Sequence, residues 1–465
     1  YGIAFGDVIG RLSNINVTAN EIVIHSRQMA YLIELHDVDD SIIAENVLYS
    51  DCNSSYAVGA YKSNNISIKN NEITLFAGNL DEIRYISDAL GKGNAPIAII
   101  RNSDNVTISE NLIYSNASNP ILIVGEAGDN LTVFSNSHII DEGNFNVYFS
   151  RNGTLNSSVI DSQSTLLLNN ITDGRLMHVN VALNISCLDS RIPSAVSLLL
   201  DSCASGSRLY GLNLVNSTVK LENVSNVAMS DCEIVSANPC ILEVAGGFNN
   251  SFTDNRIFIS SDEINAVVFN GTQSNAVSNN AFEVNGSNVK IIINRDSDGN
   301  LIDNNTFDAV GDNLVFIYSS NSVFDNVTNN MLVGNASYVC AYLASNVSNG
   351  VIGYNDIVLN ASGNGVSQSA VSYSNSSVNN TVMGNSIVFS SLGSDDYAVR
   401  IVSDINLLNE VVKNYLISSN GLKRANLAVS APFDYVDKNT PIDVYVSANG
   451  DEVGGDGSLS NPYAT

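Results

Sequence analysis

The chain has 465 residues, with 20 Lys and Arg against 47 Asp and Glu, a formal net charge of −27 and no Trp. That balance excludes nucleic-acid binding, which needs a basic footprint, and docking onto anionic lipid; it suits a surface or extracellular protein that its charge keeps in solution. No apolar run reaches the roughly 18 residues a membrane-crossing helix needs. The chain opens at Tyr1 without Met, so it reads as a mature or excised segment, and a missing signal peptide is uninformative.

A repeat is visible from the first coils. Asn20 is followed two residues later by Ile22, Asn46 by Leu48 and Asn71 by Ile73, at steps of 26 and 25. No capping segment precedes residue 10. An open coil end exposes unpaired backbone groups, so the parent chain is expected to continue upstream, or a neighbour to cover this end. Between Asn71 and Asn111 the step widens to 40. The surplus, residues 79–94, predicts a short amphipathic helix with Ile83, Ile86 and Leu90 on one face and Gly91 as its stop. It projects from a corner, where repeat proteins often place recognition, or it covers a lateral apolar patch. Asn111 and Asn136 restore the step of 25. From 137 to 250 the register loosens. Asn156, Asn180, Asn213 and Cys232 fit best as repeat positions there, and Leu166–Leu168, Leu198–Leu200 and Val219–Leu221 keep strand character.

The repeat is strictest over residues 254–355, where Asn255, Asn280, Asn305, Asn330 and Asn355 recur every 25 residues. Ile257, Phe282, Phe307, Leu332 and Ile357 follow at two residues' distance. Asn385 and Asn414 continue the series with longer loops. The segments alternate with period 2 and are rich in Val, Ile, Phe and Thr, so the unit is built of strands. A fixed period of this size in strand-forming segments predicts a parallel β-helix, all-β, of roughly 16 coils. At about 4.8 Å per coil it is a rod of about 75 Å. A solenoid grows by adding layers, so its length does not call for several cores. Asn is expected at a corner because it tolerates positive φ, and because Asn side chains stacked at strand spacing bond to one another. These Asn are read as structural, and the apolar residue two places on as pointing inward.

The six Cys (52, 187, 203, 232, 240, 340) form no CxxC and no zinc-like spacing. Two of the four between 187 and 240 could stack on adjacent coils and bridge, or all are buried free thiols that pack as small apolar groups. There are 22 Asn-X-Ser/Thr sequons, among them those at Asn65, Asn105, Asn130, Asn326 and Asn346. They are glycosylation candidates in an extracellular chain, although a composition rich in Asn, Ser and Thr also produces sequons by chance. Inward-facing ladder Asn could not be modified.

The last stretch changes character. Residues 422–442 include Ala431-Pro432-Phe433 and Asn439-Thr440-Pro441 and read as a linker. Residues 443–465 then carry Tyr445-Val446-Ser447, Asn449-Gly450, Gly455-Asp456-Gly457 and Asn461-Pro462 before Ala464-Thr465. This segment resembles the opening of many right-handed parallel β-helix domains. Together with the Asn-X-apolar coils over 10–420, the chain resembles the adhesin-like surface proteins of methanogenic archaea, which are acidic, rich in Asn, Ser and Thr, and built from β-helix modules in series. The resemblance implies right-handed coils over 1–421, a following module that begins at 443, and a cell-surface location. It also implies a non-catalytic stalk or adhesin role, with partners among the glycans or proteins of another cell or the neighbouring modules of its own parent.

Chemistry needs its own argument, because one fold hosts many functions. A carbohydrate-active enzyme of this shape would need carboxylates on one outer face at neighbouring coils, holding Ca²⁺ or acting as an acid/base pair. The candidates are Asp37, Asp39 and Asp40 beside His36; Arg295 with Asp296 and Asp298; and Asp395 and Asp396 near Arg400. The best carboxylate cluster is Asp303, Asp308, Asp312 and Asp325. Each set also reads as solvated corners. Asp451, Glu452 and Asp456 are weak calcium candidates: Gly454-Gly455-Asp456-Gly457 begins like a calcium-binding β-roll, but Leu459 stands where the next Asp belongs. The His residues (25, 36, 138, 178) have no partner recognisable in the sequence, and no triad, phosphate loop or metalloprotease motif is present. The expectation is an adhesin-like module without a cofactor, presenting residues 79–94 and 360–376 as its contact surface. The alternatives are a polysaccharide lyase or glycoside hydrolase, and a structural envelope or filament subunit.

Overall fold

The computed structural model describes residues 2–6, 10–26, 29–52, 54–75, 98–101, 103–115, 121–126, 132–134, 136–140, 146–150, 159–160, 165–168, 175–179, 182–187, 189–363, 368–393, 396–402, 409–418, 427–429, 435–437, 446–447 and 463–464. Two compact units divide the chain: Tyr1–Ser217 with Asn226–Ala228, and Thr218–Ser225 with Met229–Thr465.

In both units, short strands pair in parallel with the strands one coil away. In the first unit, one column runs from Ile3–Phe5 through Met29–His36 and Ser54–Tyr61 to Asn146–Ser150. A second includes Val38–Ala44, Asn64–Lys69 and Val106–Ser109, and a third runs from Glu21–Ile24 to Arg208–Tyr210. In the second unit the three columns end at Leu427–Val429, Tyr415–Ser418 and Tyr435–Asp437. This is the parallel β-solenoid that the periodicity predicts. About 12 turns keep a repeat close to 25 residues; the sequence count of roughly 16 includes the wide steps of 29, 30 and 40 and the irregular stretch 137–250.

Alternation buries one residue in two. Ile257, Phe282, Phe307, Leu332, Ile357, Ile387 and Leu416 pair in one register and are all buried. The Phe282 and Phe307 rings stack at 4.8 Å and 8°. Phe316 meets Phe307 edge-on at 5.9 Å from the next column, a favoured aromatic geometry.

Beside this core run amide ladders. Asn305 donates from its backbone N and its Nδ2 to Asn330 Oδ1, at 2.9 and 3.0 Å, and its Nδ2 also reaches Val277 O at 2.8 Å. The same pair of bonds links Asn255 to Asn280, Asn280 to Asn305, Asn330 to Asn355, Asn355 to Asn385 and Asn385 to Asn414. In the first unit it joins Asn20, Asn46, Asn71, Asn111 and Asn136. A second buried column in the second unit links Asn250 to Asn275 to Asn300, and Asn380 to Asn409, always five residues before the first.

The expected corner geometry is corrected by one residue. The ladder Asn do not take positive φ; the residue before them does, wherever it is described. Glu45 (φ 59°), Asn70 (54°), Asp254 (58°), Asn279 (60°), Asn304 (54°), Tyr354 (58°) and Lys413 (57°) make the left-handed turns. The ladder side chain is thereby aimed inward, where Asn is required for its hydrogen bonds. The exposed corner accepts Tyr or Lys as well.

Two further expectations change. In the first unit Leu183 holds the ladder position and donates its N to Ser207 Oγ at 3.0 Å. Asn213 stands outside that column and donates its N to Cys187 Sγ at 3.4 Å, while Asn156 and Asn180 lie outside the described residues. Cys232 does hold a ladder position, donating its N to Asn255 Oδ1 at 3.0 Å. The stretch read as a linker, 422–442, contains strands Leu427–Val429 and Tyr435–Asp437, which pair in register with Val399–Ile401 and Glu410–Val412. Pro432 and Pro441 lie outside the described residues. In 443–465, Val446–Ser447 pairs with Tyr463–Ala464. The expected helix 79–94 lies outside the described residues.

Asn305→Ala deletes a rung that donates to two carbonyls and accepts two hydrogens. It is expected to cost about 2–4 kcal/mol in urea unfolding. Asn304→Gly, at the neighbouring corner, should stay within about 0.5 kcal/mol of the parent. Equal losses at the two positions would refute the division of labour between rung and corner.

Candidate functional site

The carboxylates singled out from the sequence do not converge. Asp303 sits on an outer strand face and accepts from Thr328 Oγ1 at 2.6 Å and Asn329 Nδ2 at 2.8 Å. Asp308 is exposed on the strand Thr306–Val310, in a different column, and Asp312 is exposed before Asn313–Ser320. Asp325 is buried inside. Asp296 accepts from Asn321 Nδ2 at 3.0 Å, while Arg295 and Asp298 are exposed beside it. Asp396 caps Gln368 N and Gly393 N at 2.8 and 3.0 Å; Asp395 lies outside the described residues. Asp39 pairs with Arg11 at 2.6 Å, Asp40 accepts from Asn65 Nδ2 at 2.8 Å, and Asp37 makes a left-handed corner. Most of these acids tie one coil to the next.

Two His do find partners. His25 Nδ1 lies 2.7 Å from Asp51 Oδ2, one coil on, and His36 Nε2 lies 3.3 Å from Glu34 Oε1, with its ring stacked on Tyr61 at 4.6 Å. The side chains of His138 and His178 lie outside the described residues, as do Asp451, Glu452 and Asp456. Among the described residues no group of three or more His, Cys, Asp or Glu is placed to hold a metal. Of the sequon residues, Asn65, Asn105 and Asn346 are exposed and Asn326 is half-buried; Asn130 is outside the described residues. Asn105 Nδ2 donates to Asn65 Oδ1 and Asn346 Nδ2 to Asn321 Oδ1, both at 2.9 Å. In 360–376, Asn360 Nδ2 reaches Asn335 Oδ1 at 3.4 Å, and Gln368 Nε2 donates to Gly363 O at 3.1 Å.

The arrangement with binding chemistry lies elsewhere in the second unit, on strands Asn265–Asn270, Val289–Arg295, Asn313–Ser320 and Tyr338–Ser345. Each breaks the alternation with a run of consecutive buried residues: Ala266 and Val267, Ile291 to Asn294, Leu314 to Ile317, and Val339 to Tyr342. Beside these strands opens a cleft of about 350 Å³, lined by Glu263, Asn265, Asn288, Val289, Lys290, Asn313 and Val315.

Asn265, Lys290, Val315 and Cys340 succeed one another in register, one per coil. Ile293, Tyr318, Leu343, Ser372 and Arg400 form a parallel row. The Lys290 ammonium lies 4.9 Å from the Tyr318 ring centroid, within cation–π range. Asn313 Nδ2 donates to Asn288 Oδ1 at 3.1 Å. The rim thus offers amides, one ammonium and one carboxylate, Glu263, above an apolar floor of Val289 and Val315. Burial pushes the Cys340 thiol up to about 12. The adjoining Cys340 and then burial raise the Tyr338 phenol, which Arg400 draws back. The sequence carried no signal for this group beyond the coil period itself, since its members are neighbours only along the axis.

No protein-family model and no curated protein matches the chain. Among solved structures, it is similar to the A-module of a mannuronan C-5 epimerase of Azotobacter vinelandii, at 11% identity and a TM-score of 0.34, over 82% of this chain and 91% of the other. It is also similar to a mutant tailspike protein of E. coli bacteriophage HK620 in complex with a pentasaccharide, at 10% identity and a TM-score of 0.35, over 90% and 74%. An alginate lyase from a Paenibacillus species gives 11% identity and a TM-score of 0.28, over 59% and 93%. These are similarities of fold.

Cys52, Cys187, Cys232 and Cys340 are buried free thiols, and Cys240 is half-buried with its thiol pushed by burial up to about 11. Only the thiolate reacts. Iodoacetamide at pH 8 should therefore label Cys340 in the native protein at least about 100-fold more slowly than in urea, read by peptide mass spectrometry. Labelling at the rate of a free thiol would show that the floor beside the cleft is open.

Proposed function

We propose that this chain is an extracellular, adhesin-like stalk module that holds a polyhydroxylated chain, an oligosaccharide, in the cleft at Glu263, Lys290 and Asn313 without cutting it. The observation that carries the reading is the composition of that cleft: several amides and a ring-backed ammonium beside a single carboxylate. Amides and an ammonium serve sugar hydroxyls. Glycoside hydrolysis draws on two carboxyl groups across the scissile bond, and Glu263 has no second acid among the residues that line the cleft.

Other features support the same reading. Several outer acids, Asp39, Asp40, Asp296 and Asp303 among them, are engaged in coil-to-coil ties, which suits a stiff support. Exposed sequons and a net charge of −27 suit a surface outside the cell. Lys290 and Tyr318 would present the sugar, and other modules of the parent or the glycans of a neighbouring cell would be the partners. The likeness of the sequence to adhesin-like archaeal surface proteins points to the same role.

Labelled protein is titrated against a panel of neutral and uronate-containing polysaccharides, with new reducing ends and unsaturated products assayed in the same wells. Saturable binding that weakens at least about tenfold in Lys290→Ala, a loss of about 1.4 kcal/mol, with no product formed, is the expected result. Product release would replace the adhesin reading with an enzyme. Binding indifferent to Lys290→Ala would move the contact surface away from the cleft.

A further inference from the structure

The second amide column of the second unit contains one acid. Asn250, Asn275 and Asn300 succeed one another as rungs, and Asp325 takes the next position. Gly350 follows, with no side chain to offer, before Asn380 and Asn409 resume the series. Asp325 is 3% exposed. Its Oδ1 accepts from Asn300 N at 3.2 Å, and its Oδ2 lies 3.1 Å from Asn294 Nδ2.

Around it, Asn294 Oδ1, Asn300 Nδ2, Ser319 Oγ and Tyr373 Oη are buried and make no well-formed hydrogen bond. Asn294, Ser319, Ala344 and Tyr373 follow one another in one inward row, so Ser319, Ala344 and Gly350 are small where the carboxyl sits. The strands packed around it contribute few charges. Tyr342 and Tyr373 face inward as neutral phenols. Lys290, Arg295, Asp296, Asp298, Asp303 and Tyr318 belong to the outer surface of the same coils. Among the described residues no Lys, Arg or His pairs with Asp325, and Asp298 is the charge that acts on it, unfavourably.

We infer that Asp325 is a proton-bearing rung: it enters the core as the neutral acid in place of an amide, and its ionisation loosens the coils of the second unit. A carboxylic acid presents one O–H donor and one C=O acceptor, the pattern an Asn presents, whereas a carboxylate only accepts. An amide's oxygen and nitrogen are assigned from their bonds, and turning the Asn294 amide over places its oxygen where it receives the acid's proton. A cation in place of the proton would face the N–H hydrogens of Asn300. Burial, the largest influence, raises the Asp325 carboxyl to about 7, against the smaller lowering effects of Asn300, Asn294 and Ser319.

The sign follows from linkage. An unfolded Asp titrates at about 3.9, so between about 4 and 7 the folded chain keeps a proton that the unfolded chain has lost. Stability falls as pH rises through that window, by up to about tenfold in the unfolding constant per pH unit, and levels off above it. Urea unfolding of the full chain and of Asp325→Asn, followed by circular dichroism from pH 4.5 to 8.5, isolates this group. Asp325→Asn should match the parent at pH 4.5 and exceed it at pH 8, by about 100-fold or more in the unfolding constant. A difference independent of pH, or a parent that gains on the variant as pH rises, would overturn the inference. If the variant does not fold, the ¹³C carboxyl resonance of Asp325 in the parent decides. A midpoint near neutrality supports the protonated rung, and one in the ordinary carboxylate range refutes it.

Discussion

The structure depends on a rule of spacing. A parallel strand pair places equivalent residues of successive coils about 4.8 Å apart, and an Asn side chain directed along the axis spans that gap. It then bonds its neighbour's oxygen with its own N–H and with its amide. The two donations converge on one acceptor, as from Asn305 to Asn330. Each rung thereby locks both the backbone and the side chain of one coil to the next. A slip of one residue would turn every rung outward and bury the polar corners, so register and burial are decided together. The aromatic stack of Phe282 on Phe307 uses the same spacing with dispersion in place of hydrogen bonds.

The ladders on the outside obey the rule in reverse. Inside, the amide-to-amide bond of each rung runs toward the following coil, while the same Nδ2 also reaches a backbone carbonyl of the preceding one. At the exposed corners the side-chain bond runs toward the preceding coil, from Asn65 to Asp40, Asn304 to Asn279 and Asn346 to Asn321. The exposed carboxylates join these ties because a carboxylate accepts as well as an amide oxygen does and needs no partner in return. Part of the acidity at these corners is thus employed in cohesion.

The fold was legible because its period is written in one residue type. Asn255 to Asn355 recur without interruption, and the apolar residue two places on settles which way each strand faces. The corner was misplaced by one residue because Asn satisfies both requirements, positive φ and ladder bonding, so sequence alone cannot tell Asn304 from Asn305. The second ladder was hidden where Asp325 and Gly350 replace Asn. The ladder of the first unit was hidden where Leu183 and Ser207 replace Asn, since a hydroxyl or a bare backbone N–H can hold the same place. Prolines made 422–442 read as a linker, yet Leu427–Val429 and Tyr435–Asp437 within it pair with the preceding coil. The cleft could not be read at all: Glu263, Lys290 and Tyr318 are polar residues of ordinary spacing, and their meeting depends on the register of successive coils.

One rung bears on how such a chain can change over generations. Asn71 and Asn111 are 40 residues apart, yet their bonds measure 3.0 and 2.9 Å, as they do across steps of 25. The scaffold therefore registers the axial gap and is indifferent to the length of polypeptide between rungs. Insertions at such a corner are invisible to the ladder, and loss or duplication of a whole coil returns it to the same geometry. Surface loops can thus diversify under selection by whatever they meet while the frame beneath them stays unaltered.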